Sequence, residues 1–210
     1  MSKKTKRPED RELGYKLLTP LMRVVFRLWY NPKIINAEYI PSDSAIVIAC
    51  NHKHVYDQCL TVMATKRVIH YMAKKEYFDG KLAPLFRVVG CIPVDREKRD
   101  FSSAKSALAV LKKGGAVGIF PEGTRNKTDN FLLPFKTGTV AMAKKGDAWI
   151  VPCGLTGDYK FRSKNLTIRY GKPFKVGDMT PVEANEKLKR EIECLMLENL
   201  GKENKIRKNA

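Results

Sequence analysis

Apolar and polar positions follow two different rules along the chain. From Leu13 to Tyr30 the segment LGYKLLTPLMRVVFRLWY is mostly apolar, and its cations Lys16, Arg23 and Arg27 are spaced by seven and four residues. At about 100° per residue these three share one stripe of a helix, while Leu17, Leu21, Val24, Val25, Leu28 and Trp29 fill most of the remaining circumference. The pattern predicts an amphipathic helix that Pro20 kinks or restarts. Two placements satisfy it. The helix lies in a membrane interface, with acyl chains on the apolar face and headgroups on the cations, or it docks on its own domain. The breadth of the apolar face, its aromatic residues and a basic leader ahead of it (Lys3, Lys4, Lys6, Arg7, Arg11) favour the interface.

Beyond Asn31-Pro32 short apolar runs alternate with helical stretches. AIVIAC (45–50), VIHYMA (68–73), CIPV (91–94), AVGIF (116–120), AWIVPCGL (148–155) and LTIRYGKPF (166–174) read as strands. Helices are expected over about 56–65, just before Gly90, from the cap Asp100 to the Gly114-Gly115 stop, over TVAMAKK before Gly146, and from Thr180 to about Leu200. Thr180, Pro181 and Glu183 carry the signature of a capped helix start. Strands separated by helices of about ten residues predict an α/β domain with a largely parallel or mixed central sheet flanked by helices. The expected organisation is a basic leader and interfacial helix over 1–32, one α/β domain over 33–200 and a basic tail over 201–210.

Composition narrows the setting. The 210 residues include 40 Lys+Arg and 22 Asp+Glu, a net charge of +18, yet 43% are apolar, which is enough for a sizeable core. No run approaches the roughly 18 uninterrupted apolar residues of a spanning helix, and nothing at the start has the order of a secretory signal. A polytopic membrane protein is therefore not expected. Five scattered Cys without a Cys-x-x-Cys point to reduced thiols and a cytosolic address, not to a disulfide framework or a zinc site. The charge excess fits nucleic acid, an anionic membrane or phosphorylated substrates. Aromatic residues interleaved with cations, as a nucleic-acid surface requires, are absent.

In open α/β sheets chemistry collects beyond the carboxyl ends of the strands. After AIVIAC come Asn51, His52, Lys53, His54 and Asp57, two imidazoles and a carboxylate suited to a general base and its orienting acid. His54 and Asp57 would share a helix face, whereas His52 reaches Asp57 only from a loop before the helix. Spacing alone does not identify the base. A polar loop capping a helix, with Asp57 in its first turn, is the alternative. After AVGIF, the run Phe120 to Arg125 offers a Gly turn, the hydroxyl of Thr124 and the guanidinium of Arg125, either an oxyanion or phosphate seat or an ordinary turn. Asp95 and Arg96 follow CIPV, and Lys136 precedes a helix start.

Taken in order, these segments resemble the glycerolipid acyltransferases, with the bacterial 1-acylglycerol-3-phosphate acyltransferases the nearest group. The family's His-x-x-x-x-Asp block preceded by Asn is matched by Asn51, His52 and Asp57; Pro93, Asp95 and Arg96 match its second block; Phe120 to Arg125 reproduce Phe-Pro-Glu-Gly-Thr-Arg; Ile150, Val151 and Pro152 match the fourth. The resemblance implies that His52 is the base and Asp57 its orienting acid, with His54 at a variable position. It implies that Arg96 and Arg125 bind the acceptor phosphate and that Glu122, Gly123 and Thr124 shape the acceptor site; Lys136, outside the four blocks, is a further candidate for the same phosphate. No covalent acyl-enzyme, metal or cofactor is implied, so Cys50 is read as a buried strand residue.

The implied reaction carries an acyl chain from acyl-CoA or acyl-carrier protein to the sn-2 hydroxyl of lysophosphatidic acid, yielding phosphatidic acid. Glycerol 3-phosphate or another lysolipid as acceptor is the alternative within the class. A non-catalytic basic module binding membranes or nucleic acid is the alternative outside it. Expected partners are an anionic membrane surface, lysophosphatidic acid and the thioester donor, with no nucleic acid. The expected location is the cytoplasmic face of the cell membrane, as a peripheral or monotopic protein.

Overall fold

The computed structural model describes residues 12–95 and 100–202. Seven strands, β1 (Lys33–Ile35), β2 (Ile46–Cys50), β3 (Ile69–Lys74), β4 (Ile92–Val94), β5 (Ala116–Ile119), β6 (Trp149–Thr156) and β7 (Thr167–Tyr170), form one sheet in the order β1-β7-β6-β2-β5-β3-β4. Every neighbouring pair is parallel except β6 and β7. This is the α/β domain with a mixed sheet that the alternation of elements predicts.

The central strands read as continuous apolar runs because both faces of the sheet are covered. All five residues of β2 are buried. Val47 and Ala49 face a core shared with α4 (Phe101–Lys112), α5 (Gly138–Lys145) and α6 (Pro181–Asn199). Ile46, Ile48 and Cys50 face the other side, where α2 (Asp57–Met63) and the inner side of α1 (Leu13–Tyr30) pack. A short α3 (Ala83–Val88) lies beside α1, and the α1 backbone at Gly14 comes so close that a Cβ there would sit 2.0 Å from Val88 Cγ1.

Helix ends follow the sequence signals. Asp100 accepts hydrogen bonds from the amides of Ser102 and Ser103, both at 3.0 Å. Thr180 and Glu183 form a full capping box at the start of α6. Strand β1 has no counterpart in the apolar pattern. At three residues it is too short to show alternation, and it exists because it pairs with β7, more than a hundred positions away.

Two features of helix α1 go beyond what the apolar pattern shows. It runs through Pro20 as one helix of 18 residues instead of restarting there. Pro20 is exposed, so its ring and the carbonyl it leaves unpaired meet solvent. The cationic stripe is also not free. Arg23 donates to the carbonyls of Val62 and Thr65, Arg27 to that of Pro32, and Lys16 pairs with Glu12. One side of the helix is docked, with Tyr15 and Thr19 buried and Met22, Phe26 and Tyr30 against the core. The opposite side leaves Leu13, Leu17, Leu21, Val24 and Leu28 exposed. The leader residues 1–11, Arg96 and the tail from 203 onward lie outside the described residues.

Leu188 on α6 is fully buried against the sheet. Leu188→Ala is expected to lower the free energy of unfolding by about 2–5 kcal/mol. Val182→Ala, at an exposed position of the same helix, should change it by less than about 0.5 kcal/mol. Urea titrations of the two variants provide the comparison.

Candidate active site

The site is set by neighbouring strands that end at one height. Ala49 of β2 pairs with Ile119 of β5, so His52 and Glu122, each three residues further on, emerge side by side. On the other flank Cys50 pairs with Cys153 of β6, and the Asn51 side chain extends that ladder: its Nδ2 donates to Leu155 O (3.0 Å) and its Oδ1 accepts from Leu155 N (2.7 Å). After β2 the chain leaves toward α2 on one face of the sheet, and after β5 toward α5 on the other. Adjacent strands whose connections depart to opposite faces open a crevice between them, the usual place for a ligand.

Asp57 organises the loop after β2. Its carboxylate is fully buried. Oδ2 accepts from His52 Nδ1 at 2.8 Å and from the amides of Lys53 and His54 at 2.7 Å each. Oδ1 accepts from the Tyr159 hydroxyl at 2.7 Å. With Nδ1 donating to a carboxylate, the neutral His52 imidazole carries its lone pair on Nε2. The ring lies flat on Phe120, with centroids 3.9 Å apart and planes within 10°, so it is held by stacking as well as by its hydrogen bond. His54 takes a different direction. Its ring stacks on Tyr159 at 4.3 Å, and its Nδ1 accepts from the Tyr56 amide. Among the two imidazoles of this loop, only His52 has a ring nitrogen on Asp57.

Glu122 is a strut, not an open wall of the crevice. It is 4% exposed, and its two oxygens accept from the amides of His52 (2.7 Å) and Leu133 (2.9 Å). Burial pushes its carboxyl above the usual range, and the two amides and His52 pull it back. The Asn126 amide donates to His52 O at 2.7 Å, so the loop after β5 grips both backbone groups of His52.

Gly123 adopts φ +69°, and a Cβ there would meet Cε, Cδ and Nζ of Lys136 at 2.8, 3.0 and 3.1 Å. The absent side chain thus lets the Lys136 stem lie across the turn, where the Lys136 amide also donates to Pro121 O. Thr124 is exposed and Arg125 half-buried on the same turn. Neither Arg125 nor Lys136 has an acidic partner among the described residues. Two cations without a counter-ion on the loop that grips the His52 backbone suit an anion seat. Arg96 falls outside the described residues, directly after Asp95.

Burial holds three thiols back from the thiolate form. Burial pushes the Cys50 thiol well above its usual range, and it points at Asn51 Oδ1. Burial likewise pushes Cys59 and Cys91 up to about 12. Among the described residues no cluster of His, Cys, Asp and Glu is arranged to hold a metal ion.

Tyr159 is the site residue that sequence reasoning missed. It lies on the loop after β6, 102 positions from Asp57, within no motif. Burial, and then the Asp57 carboxylate, push its phenol far above the usual range, so it remains a donor. Its ring also meets Tyr30 at the end of α1 (5.6 Å) and Tyr56 (6.1 Å). The sequence offered one signal, a Tyr just beyond the carboxyl end of a central strand.

Glu122→Gln keeps the shape of the strut but turns one acceptor into an amine that faces a backbone N–H. The expected loss of stability is about 1–3 kcal/mol, measured by urea unfolding, against no change in Glu186→Gln on the exposed side of α6.

Comparisons with known proteins bear on this geometry. The acyltransferase family model matches residues 31–156. A 1-acyl-sn-glycerol-3-phosphate acyltransferase of Bacillus subtilis is 35% identical over 91% of this chain and 98% of its own length. One of Cocos nucifera is 31% identical over 87% of this chain and 62% of its own length. The crystal structure of the 1-acyl-sn-glycerophosphate acyltransferase PlsC from Thermotoga maritima superposes with a TM-score of 0.73 at 19% identity, over 87% of this chain and 78% of that one, which establishes a common fold. With the family model spanning the strands that carry His52, Asp57, Glu122 and Arg125, the chain belongs to the acyltransferase family.

Proposed function

We propose that the protein transfers a fatty acyl group from a thioester, acyl-CoA or acyl-carrier protein, to the sn-2 hydroxyl of 1-acyl-sn-glycerol 3-phosphate, forming phosphatidic acid. The observation that carries this reading is the His52 ring, bonded through Nδ1 to buried Asp57 and held flat on Phe120. Its Nε2 takes the proton of the acceptor hydroxyl as that oxygen attacks the thioester carbonyl carbon. The tetrahedral intermediate then expels the sulfur, which leaves with the proton from the His52 imidazolium as a thiol. Asp57 fixes the tautomer and stabilises the imidazolium, a role it fills as acceptor only. Arg125 and Lys136, with Arg96, are the proposed ligands of the acceptor phosphate. Gly123 and Thr124 line its seat, and Glu122 braces it from behind. Thioester alcoholysis needs a base and oxyanion donors, so the proposal includes no metal and no cofactor.

The proposed setting is the cytoplasmic face of the cell membrane. No described helix is long and apolar enough to cross a bilayer. The bare side of α1, with Leu17 68%, Leu21 65% and Leu28 63% exposed, supports a helix lying in the interface, its apolar side toward the acyl chains. An acceptor drawn from that leaflet then reaches the end of the sheet where α1 terminates at Tyr30, beside Tyr159.

The test is acyl transfer from radiolabelled oleoyl-CoA to lysophosphatidic acid by the purified protein. His52→Ala should lose on the order of 10²- to 10⁴-fold in kcat, while His54→Ala retains most activity. Tyr159→Phe keeps the ring contacts and deletes one donor to Asp57, so kcat should fall about tenfold with KM little changed. Full activity in His52→Ala would remove the base assignment, and no transfer to any lysolipid from either donor would overturn the reading.

A further inference from the structure

A groove of about 1010 Å³ runs between α1 and the β1 edge of the sheet. None of His52, Asp57, Arg125 or Lys136 lines it, so it is separate from the crevice described above. Four cations, Arg23, Arg27, Lys33 and Lys164, border it, its apolar lining includes Ile34 and Met63, and among the described residues no acidic side chain lines it. None of the four has an ion-pair partner among the described residues.

The two guanidinium groups are already anchored. Arg23 Nε and Nη2 donate to Val62 O at 3.2 and 3.1 Å, and Nη2 also to Thr65 O, which leaves the Nη1 amine over. Arg27 Nη1 donates to Pro32 O at 3.1 Å, leaving Nε and Nη2. Guanidinium groups held in this way lose little freedom when they take up an anion. An unneutralised cationic concavity with apolar walls focuses a positive field on its contents.

The rim identifies the occupant. Val24 and Leu28 line the groove and also belong to the exposed apolar side of α1, 56% and 63% exposed. On the reading that this side rests in acyl chains, on which this inference depends, Arg23 and Arg27 sit on the adjoining strip of the helix, at the depth of lipid phosphates. A ligand matching both features is an amphiphile with an anionic head. We infer that the groove seats the phosphate headgroup of one anionic glycerophospholipid, apart from the acyl-transfer crevice. Its acyl chains then run along Val24 and Leu28 into the leaflet, and the bound lipid fixes how α1 and the crevice face the membrane.

The test uses monomeric dihexanoyl phosphatidylglycerol, which needs no bilayer. Trp29 is the reporter, since its ring meets Phe161 edge to face at 5.0 Å, on the segment that carries Lys164. Lys33 and Lys164 are exposed, so the double variant Lys33→Gln/Lys164→Gln removes groove charge without touching the core. Lys105→Gln/Lys112→Gln on α4 removes equal charge elsewhere. The expected result is saturable binding of the lipid to the unmodified protein, on the order of tenfold weaker in the groove variant, within about twofold in the control, with inorganic phosphate much weaker than the lipid. No saturable binding, equal losses in both double variants, or inorganic phosphate binding as tightly as the lipid would overturn the inference. Sedimentation of the unmodified protein with phosphatidylglycerol vesicles reads the bilayer contact of α1 separately. Its failure beside intact, groove-dependent binding of the monomeric lipid would overturn the membrane contact of α1 and the orienting role that rests on it, whereas loss of groove-dependent binding would overturn the headgroup site itself.

Discussion

A carboxylate with no exposed surface is costly unless each lone pair finds a donor, and at Asp57 the fold supplies four: an imidazole, two backbone amides and a phenol. The rest of the site follows from meeting that requirement. The two amides curl residues 52–54 around the carboxylate, which is what brings an imidazole five positions upstream onto it. Removing one partner of such a buried charge typically costs about 3–5 kcal/mol. The pairing of His52 with Asp57 is therefore maintained by the folding energy of the domain, not by a local preference of the loop.

The sheet delivers the remaining parts. Parallel register places the ends of β2 and β5 at one height, with β6 running on past Cys153, the partner of Cys50, and both neighbours contribute something the loop of β2 lacks. β5 sends Phe120 beneath the imidazole and Glu122 and Asn126 to its backbone. The loop beyond β6 sends Tyr159 to the far oxygen of Asp57, and Asn51 ties β2 to β6 through a side-chain amide standing in for a peptide group. Through Tyr30 and Tyr159 the end of α1 packs against this assembly. The helix proposed to meet the membrane and the pair proposed to move the proton thus share an aromatic contact.

How much of this could be read in advance depends on whether a role is local. The long buried strands, the Asp100 cap and the Thr180 capping box are written in adjacent residues, and they appear where the pattern places them. The block from His52 to Asp57 showed which residue types meet, and the resemblance chose between the imidazoles. Glu122 and Tyr159 are different. One grips a backbone 70 positions away and the other a carboxylate 102 positions away, and spacing along a chain carries no trace of strand order. Helix α1 was ambiguous because its apolar residues serve two surfaces: Tyr15, Met22 and Phe26 dock on the domain, whereas Leu17, Leu21 and Leu28 stay bare. Its cations read as one stripe, yet Arg23 is held by the carbonyls of Val62 and Thr65, which only tertiary structure brings near, and Arg27 by that of Pro32 just past the helix end.

The central claim is that Asp57 holds the His52 imidazole with Nδ1 as donor and Nε2 bare for the acceptor proton. With three His in the chain, ¹⁵N labelling of histidine and His52→Gln for assignment isolate its ring in an NMR spectrum. The most direct measurement is the ¹⁵N shift of both ring nitrogens of neutral His52. A protonated Nδ1 whose hydrogen is protected from exchange, beside an unprotonated Nε2, is the result the geometry requires. An Nε2–H tautomer, or a freely exchanging ring unaffected by Asp57→Asn, would contradict it.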